Sequence, residues 1–156
     1  YKATINGNLH RNFMGYTSSK TKVMIGLGVS AISDSWNGFA QNVKKLEDYY
    51  DKLEDKELPI FRGHILTAED EVIRKHILNI MCDLETSWED EKLYFPEIET
   101  VLPKLDEMEA DGLVEIGENW LKVPEKGRPF VRNICMAFDL LLQHNKPETQ
   151  LFSMTI

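Results

Sequence analysis

The sequence predicts a mainly α fold with a small β-hairpin, its helical part preceded by a short irregular or strand-like segment. Three observations carry this reading. Glycines at 7, 15, 26, 28 and 38 cut the first 38 residues into short apolar pieces that leave no room for a long helix. From Phe39 onward apolar residues recur at three- and four-residue intervals, the spacing of one helix face. Residues 113–123 form two alternating segments around Gly117-Glu118-Asn119, a hairpin signal. The chain is therefore divided into residues 1–38 and a helical domain over 39–156.

The first helix follows from Val43, Leu46, Tyr50 and Leu53, with the charge run "KKLEDYYDKLEDK" as its solvated face. "LPIFRGHIL" reads as an extended connection. Thr67-Ala68-Glu69-Asp70 opens the next helix, since Thr67 is able to accept from first-turn N–H groups and three acidic residues in succession, Glu69 to Glu71, suit the positive helix end. Its apolar stripe is Val72, Ile73, Ile77, Ile80 and Met81. A third helix is expected from Phe95 to Ala110, bent or divided at Pro103 and stopped at Asp111-Gly112. After the hairpin a last helix runs from about Glu125 to His144.

Three helices followed by a hairpin is the order of a winged-helix domain, so DNA binding has to be weighed. A DNA reader needs cations on its third helix. Residues 96–112 carry Glu97, Glu99, Asp106, Glu107, Glu109 and Asp111 against Lys104 alone. The winged arrangement is thus read as a packing or lid module with no nucleic-acid partner, in keeping with a net charge of -8. No apolar run reaches the roughly 18 residues that span a bilayer, so a cytoplasmic protein without a membrane span is expected. Cys82 and Cys135 are too few and too far apart for a metal knuckle or disulfide framework and read as buried thiols. The chain opens on Tyr1 rather than Met, which suggests a piece of something longer.

"VMIGLGVSAIS", residues 23–33, contains Gly26-Leu27-Gly28-Val29-Ser30-Ala31, which fits the G-x-G-x-x-G/A pattern of dinucleotide-binding folds. That fingerprint needs a helix to begin at its end and a carboxylate about 20 residues on, at the end of the next strand. Here the turn-rich "ISDSWNG" follows, and Glu47, Asp48 and Asp51 sit on the charged helix. The match is accidental. What remains is a strand end where Gly26 and Gly28 let the backbone turn sharply or let something approach closely.

Four stretches occur in order: "LHRNFMGYT" (9–17), "GLGVSAIS" (26–33), "RGHILTAEDEVIR" (62–74) and "KGRPFVRNICMAFD" (126–139). Together they closely resemble the C-terminal third of oxygen-independent coproporphyrinogen III oxidase, a radical S-adenosylmethionine enzyme family of haem synthesis. The resemblance implies an oxidoreductase that decarboxylates two propionates of coproporphyrinogen III to vinyl groups, giving protoporphyrinogen IX. The family uses S-adenosylmethionine and a [4Fe-4S] cluster, held by a Cys-x-x-x-Cys-x-x-Cys motif that this sequence lacks, to generate a 5′-deoxyadenosyl radical. Residues 1–38 would then be the last piece of a radical-SAM partial α/β barrel, partnered by the rest of that barrel. The chain alone, taken as a monomer, is expected to be inactive and to bind neither cofactor. The alternative is an independent winged-helix interaction module.

The resemblance also assigns roles. Ile32 matches a family position that contacts S-adenosylmethionine, with Gly28 and Ala31 as weaker cofactor-binding candidates. Met14 stands where other members carry Gln, so a packing role is expected of it. His10 and Arg11 either face substrate carboxylates or hold a loop together. Arg128 and Arg132, four apart on one helix face, either present two guanidinium groups to propionates or pair with Glu125, Asp139 or the acidic third helix. His64, His76 and His144 have no ligand spacing and read as structural.

Overall fold

The computed structural model describes residues 2–140 and consists of two compact units, Tyr1–Leu78 and Asn79–Ile156. The first is built from antiparallel strands. After a one-turn helix α1 (Lys2–Ile5), strands β1 (His10–Asn12) and β2 (Gly15–Thr17) form a tight hairpin pairing His10 with Thr17 and Asn12 with Gly15. The Met14 N–H donates to Asn12 Oδ1 (2.9 Å) across the turn, and Gly15 takes a φ of +129° that a side chain would resist. A four-stranded antiparallel meander follows: β3 (Val23–Met24), β4 (Ile32–Ser35), β5 (Gly38–Asn42) and β6 (Ile60–Ile65). Helix α2 (Leu46–Glu54) comes between β5 and β6 in the chain.

This corrects two expectations. The stretch "LPIFRGHIL" is a sheet strand and not a bare connection. Pro59 and Gly63 look like breakers, but Pro59 precedes the strand, where its missing N–H breaks no ladder. Gly63 lies opposite Ala40, and a Cβ there would come within 3.0 Å of the Phe39 carbonyl oxygen. The units also divide at 78/79 rather than 38/39, because Gly38 pairs with Ser35 in the β4–β5 hairpin and with Ile65 of β6.

Helix α3 (Ala68–Asp83) starts where the sequence places it. The Asp70 N–H donates to Thr67 Oγ1 (3.1 Å) and the Thr67 N–H to Asp70 Oδ2 (2.9 Å), a reciprocal cap on two otherwise orphaned donors. Two turns on, Arg74 reaches the β4–β5 hairpin. Its guanidinium donates to both Asp34 carboxylate oxygens (2.8 and 2.9 Å) and to the Ser35 carbonyl (3.0 Å), and lies over the rings of Phe39 and Trp36. A two-pronged, partly buried charge pair of this kind fixes orientation as well as distance.

The second unit has its own sheet and core. Strand β7 (Glu85–Ser87), helices α4 (Ile98–Val101) and α5 (Asp106–Ala110), strands β8 (Glu115–Ile116) and β9 (Trp120–Lys122), and helix α6 (Val131–Phe138) follow in order. Pro103 divides the expected third helix: a 3-10 turn at Leu102–Leu105 separates α4 from α5. The stop at Gly112 holds. Gly112 takes φ +67°, its N–H donates to Glu109 O, and the Leu113 N–H donates to Met108 O (both 2.8 Å), satisfying two last-turn carbonyls. The hairpin β8–β9 gains a third strand, in the order β7-β9-β8. Phe95, Ile98, Val101, Leu105, Leu121, Ile134 and Phe138 fill the core.

The last helix differs from expectation. Residues Glu125–Phe130 are 3-10, with Pro129 inside, and α6 ends at Phe138. Buried Gly127 explains part of the "KGRPF" stretch, since a Cβ there would collide with the Leu113 carbonyl. His144 lies outside the described residues. Strands, nine of them in three antiparallel sheets among the described residues, hold a larger share than a mainly α reading allowed.

Candidate functional site

The glycine turn between β3 and β4 is held by hydrogen bonds from several elements of the first unit. Leaving β3, the chain folds back over the start of β4. A Cβ on Gly26 would sit 2.6 Å from the Ile32 carbonyl oxygen and 2.9 Å from its nitrogen, so only glycine lets the loop lie on Ile32. Gly28 meets no such neighbour; it is needed for its φ of +95°. Ser30 adopts φ 60°, held by its N–H donating to Val43 O (2.8 Å). A strand follows the loop, not a helix, in line with the rejection of a dinucleotide fingerprint.

Asn42 anchors this loop. Its side-chain Nδ2 donates to the carbonyls of Gly26 (3.2 Å) and Gly28 (2.8 Å), and its backbone N–H donates to Ala31 O (2.9 Å). Gly26 N–H donates to Ser33 Oγ (3.1 Å) and Gly28 N–H to Tyr49 Oη (3.2 Å). With loop carbonyls drawn inward, Leu27 is left 86% exposed and Val29 39% exposed, while Ile32 and Ala31 are half-buried. The loop thus offers an apolar rim on a backbone that cannot easily shift. Asn42 was not legible in the sequence: nothing in "FAQNVKK" marks a buried amide.

The other candidates fall elsewhere. His10 lines a recess of about 10 Å³ with Asn12, Lys22, Asp34, Trp36 and Arg74, room for no more than a water molecule. Burial holds the His10 imidazole below its usual pKa, aided by the charges of Lys20 and Arg74 and opposed by Asp34, so the ring is neutral at neutral pH. Arg11 stacks over Tyr16, 5.3 Å from the ring centroid, a hairpin-holding role. Met14 does not pack: it stands 87% exposed, because the two-residue turn points it outward. An open groove of about 490 Å³ crosses the meander, lined by Val23, Ile25, Ser33, Phe39, Gly63 and Ile65; Gly28, Ala31 and Ile32 are not among its walls.

Arg128 and Arg132 do not share one α-helical face, since Arg128 lies in the 3-10 turn and Arg132 in α6. Arg128 donates to Glu125 (3.0 Å), the ion-pair alternative. His64 Nε2 lies 3.3 Å from Asp70 Oδ2, and His76 is buried in α3. Cys82 and Cys135 are both buried and in no disulfide. Among the described residues no group of three or more His, Cys, Asp or Glu could hold a metal ion, and no helix is long and apolar enough to cross a membrane.

No family model matches the chain. Oxygen-independent coproporphyrinogen III oxidase of Salmonella typhimurium is 39% identical over 155 residues, covering 96% of this chain and 34% of that protein. The Escherichia coli protein of the same name is 37% identical over 158 residues with the same coverage, and that of Thermostichus vulcanus is 35% identical, matching 92% of this chain and 46% of the relative. A solved coproporphyrinogen III oxidase from Escherichia coli, described as a radical SAM enzyme, superposes with a TM-score of 0.81 at 35% identity over 90% of this chain and 34% of that structure. The chain spans about a third of the length of the first of these relatives. Identity spread along nearly the whole chain, joined to a shared fold, makes the chain similar to about one third of an oxygen-independent coproporphyrinogen III oxidase.

Proposed function

We propose that the chain is the C-terminal part of a cytoplasmic radical S-adenosylmethionine oxidoreductase that decarboxylates two propionates of coproporphyrinogen III to vinyl groups, giving protoporphyrinogen IX. The observation that carries this is the match in both sequence and fold to coproporphyrinogen III oxidases along almost the entire chain. The first unit is the closing sheet of the catalytic barrel, with its boundary at residue 78 in place of 38. Its exposed apolar strands are the surface the rest of that barrel covers. The second unit is a winged-helix-like module, on the order β7, α4–α5, β8–β9, α6. Its acidic residues from Glu97 to Asp111 make it a packing or lid element and not a DNA reader.

The residues present fit S-adenosylmethionine better than the cluster. The glycine loop carries half-buried Ile32 beside Ala31, under an exposed apolar rim of Leu27 and Val29, with open space above Gly28. That is a surface on which an adenine ring can lie. When bound, the cofactor supplies the adenosyl group for hydrogen abstraction; this chain's contribution is to hold and orient it. Two separated, buried cysteines do not fit a cluster that needs three or four thiolates, so the cluster belongs to other parts of the protein. Of the two arginines offered to propionates, Arg132 is the better placed, since Arg128 already grips Glu125.

The test is Ile32→Ala in the full-length protein. If the side chain packs on the adenosyl group, affinity measured by calorimetry falls by about 25 cal/mol for each Å² of lost contact, with a modest loss of stability. Unchanged affinity with the roughly 2–5 kcal/mol loss of a large-to-small core substitution would overturn the contact.

A further inference from the structure

We infer that Asn42 is a positioning residue for the cofactor loop: its buried amide sets where Ile32 and the rim residues stand. The inference rests on the S-adenosylmethionine reading above. Asn42 is only 7% exposed, and one residue makes three hydrogen bonds into the loop, two from its Nδ2 and one from its backbone N–H. Both side-chain acceptors are carbonyls on either side of exposed Leu27. Pulling both inward forces the Leu27 side chain out and fixes the positive φ at Gly28.

The sheet aims this amide. The β5–β6 register shifts between Gln41, paired with Arg62, and Asn42, paired with Ile60, passing over Phe61. An irregularity of this kind turns the strand locally and redirects the side chain beside it. Gly26, drawn to Asn42 by its carbonyl and to Ser33 by its N–H, lies directly on the Ile32 backbone. Displacement of Gly26 therefore moves the residue proposed to touch the cofactor. Asn42 touches nothing in the reaction; it acts through the loop.

The experiment uses the full-length protein, reconstituted anaerobically, with S-adenosylmethionine as the probe. Asn42→Asp keeps the shape but replaces the donor with an oxygen facing two carbonyls. Loss of hydrogen bonds to a buried partner of this sort should weaken binding about tenfold or more. Ile73→Ala, which removes a buried side chain of α3 outside the loop, should lower the melting temperature comparably while leaving affinity within about twofold. If Asn42→Asp behaves like Ile73→Ala, the inference is overturned while the function stands. Absence of binding by the unaltered protein would overturn both. Should Asn42→Asp yield no folded protein, Ser33→Ala, which removes only the acceptor for Gly26 N–H, carries the test with an expected loss of about threefold in affinity; an unchanged affinity there counts against the loop mechanism.

Discussion

The two units solve the same problem in opposite ways. In the second, Phe95, Val101, Leu105, Leu121, Ile134 and Phe138 are all but inaccessible, and short helices close over a three-stranded sheet. In the first, all six residues of β6 are exposed, as are Ile25 and Leu27, and the interior includes Asn42 and His76 beside Val43 and Ile73. Its order comes from directional polar contacts: Arg74 on Asp34, Asn42 on the glycine loop, Thr67 with Asp70. An antiparallel sheet usually buries at least one face. A unit fixed by polar clamps under an uncovered apolar sheet is shaped to receive something. A unit with a finished core is shaped to stand by itself.

The largest effect should therefore come from the second unit. Phe138→Ala removes a fully buried ring that sits 6.3 Å from Phe95, and about 3–5 kcal/mol of unfolding free energy should go with it. Ile65→Ala removes a side chain of similar hydrophobicity that is 84% exposed, and in the isolated chain it should change stability by no more than about 0.5 kcal/mol. Urea unfolding of the two variants makes the comparison directly. Equal costs would mean that the β6 face is already covered, and the contrast between the units would collapse.

The same contrast explains what the sequence disclosed. Local features were legible: the α2 and α3 periodicities, the Thr67 cap, the Pro103 break and the Gly112 stop each depend on residues within a turn or two of one another. Sheet membership was not. Strand β6 is recognised only through its pairing with β5, and β7 only through β9; neither partner is fixed by local pattern. The spacing of Arg128 and Arg132 assumed 3.6 residues per turn, and Pro129 imposes 3-10 geometry on the first of them. The glycine loop was found because Gly26 and Gly28 are visible as glycines. Its anchor was missed because the burial of Asn42 is decided by residues that pack around it, not by its neighbours in sequence.

A medium effect should separate the units by pH. Burial alone would raise the Asp70 pKa, but the Thr67 N–H and hydroxyl, with His64, hold it below its ordinary 3.8. A depressed folded-state value adds stability that is in full force above the unfolded value and is lost as pH falls through the folded one. The cap on α3 should therefore weaken only below about pH 3.8, and Asp70→Asn should remove that part of the acid slope. Thr67→Ala should cost about 1 kcal/mol at neutral pH. The Gly112 stop in the second unit is closed by backbone N–H groups and by Lys126 Nζ donating to the Asp111 carbonyl, with no carboxylate among those contacts. Amide exchange of the α3 first turn across the acid range reads this out; a slope unchanged in Asp70→Asn would refute the assignment.

The smallest effect belongs to Arg128, and it probes whether the finished unit has any task beyond packing. The Arg128–Glu125 pair is 52% and 85% exposed, three residues apart on one turn. Water screens such a pair and side-chain entropy opposes it, so Arg128→Ala should shift stability by less than about 0.5 kcal/mol. Arg132→Ala should do no more, since that side chain is also exposed. Substrate kinetics of the full-length protein divides them. If a propionate is held from this surface, Arg132→Ala should raise KM for coproporphyrinogen III by about tenfold, the scale of one charge-assisted hydrogen bond, while Arg128→Ala leaves it within about twofold. Equal effects would place both guanidinium groups on the substrate and leave the Glu125 pair as a resting contact. No effect from either would remove these two guanidinium groups from substrate binding and leave the glycine loop of the first unit as the contact proposed for this chain.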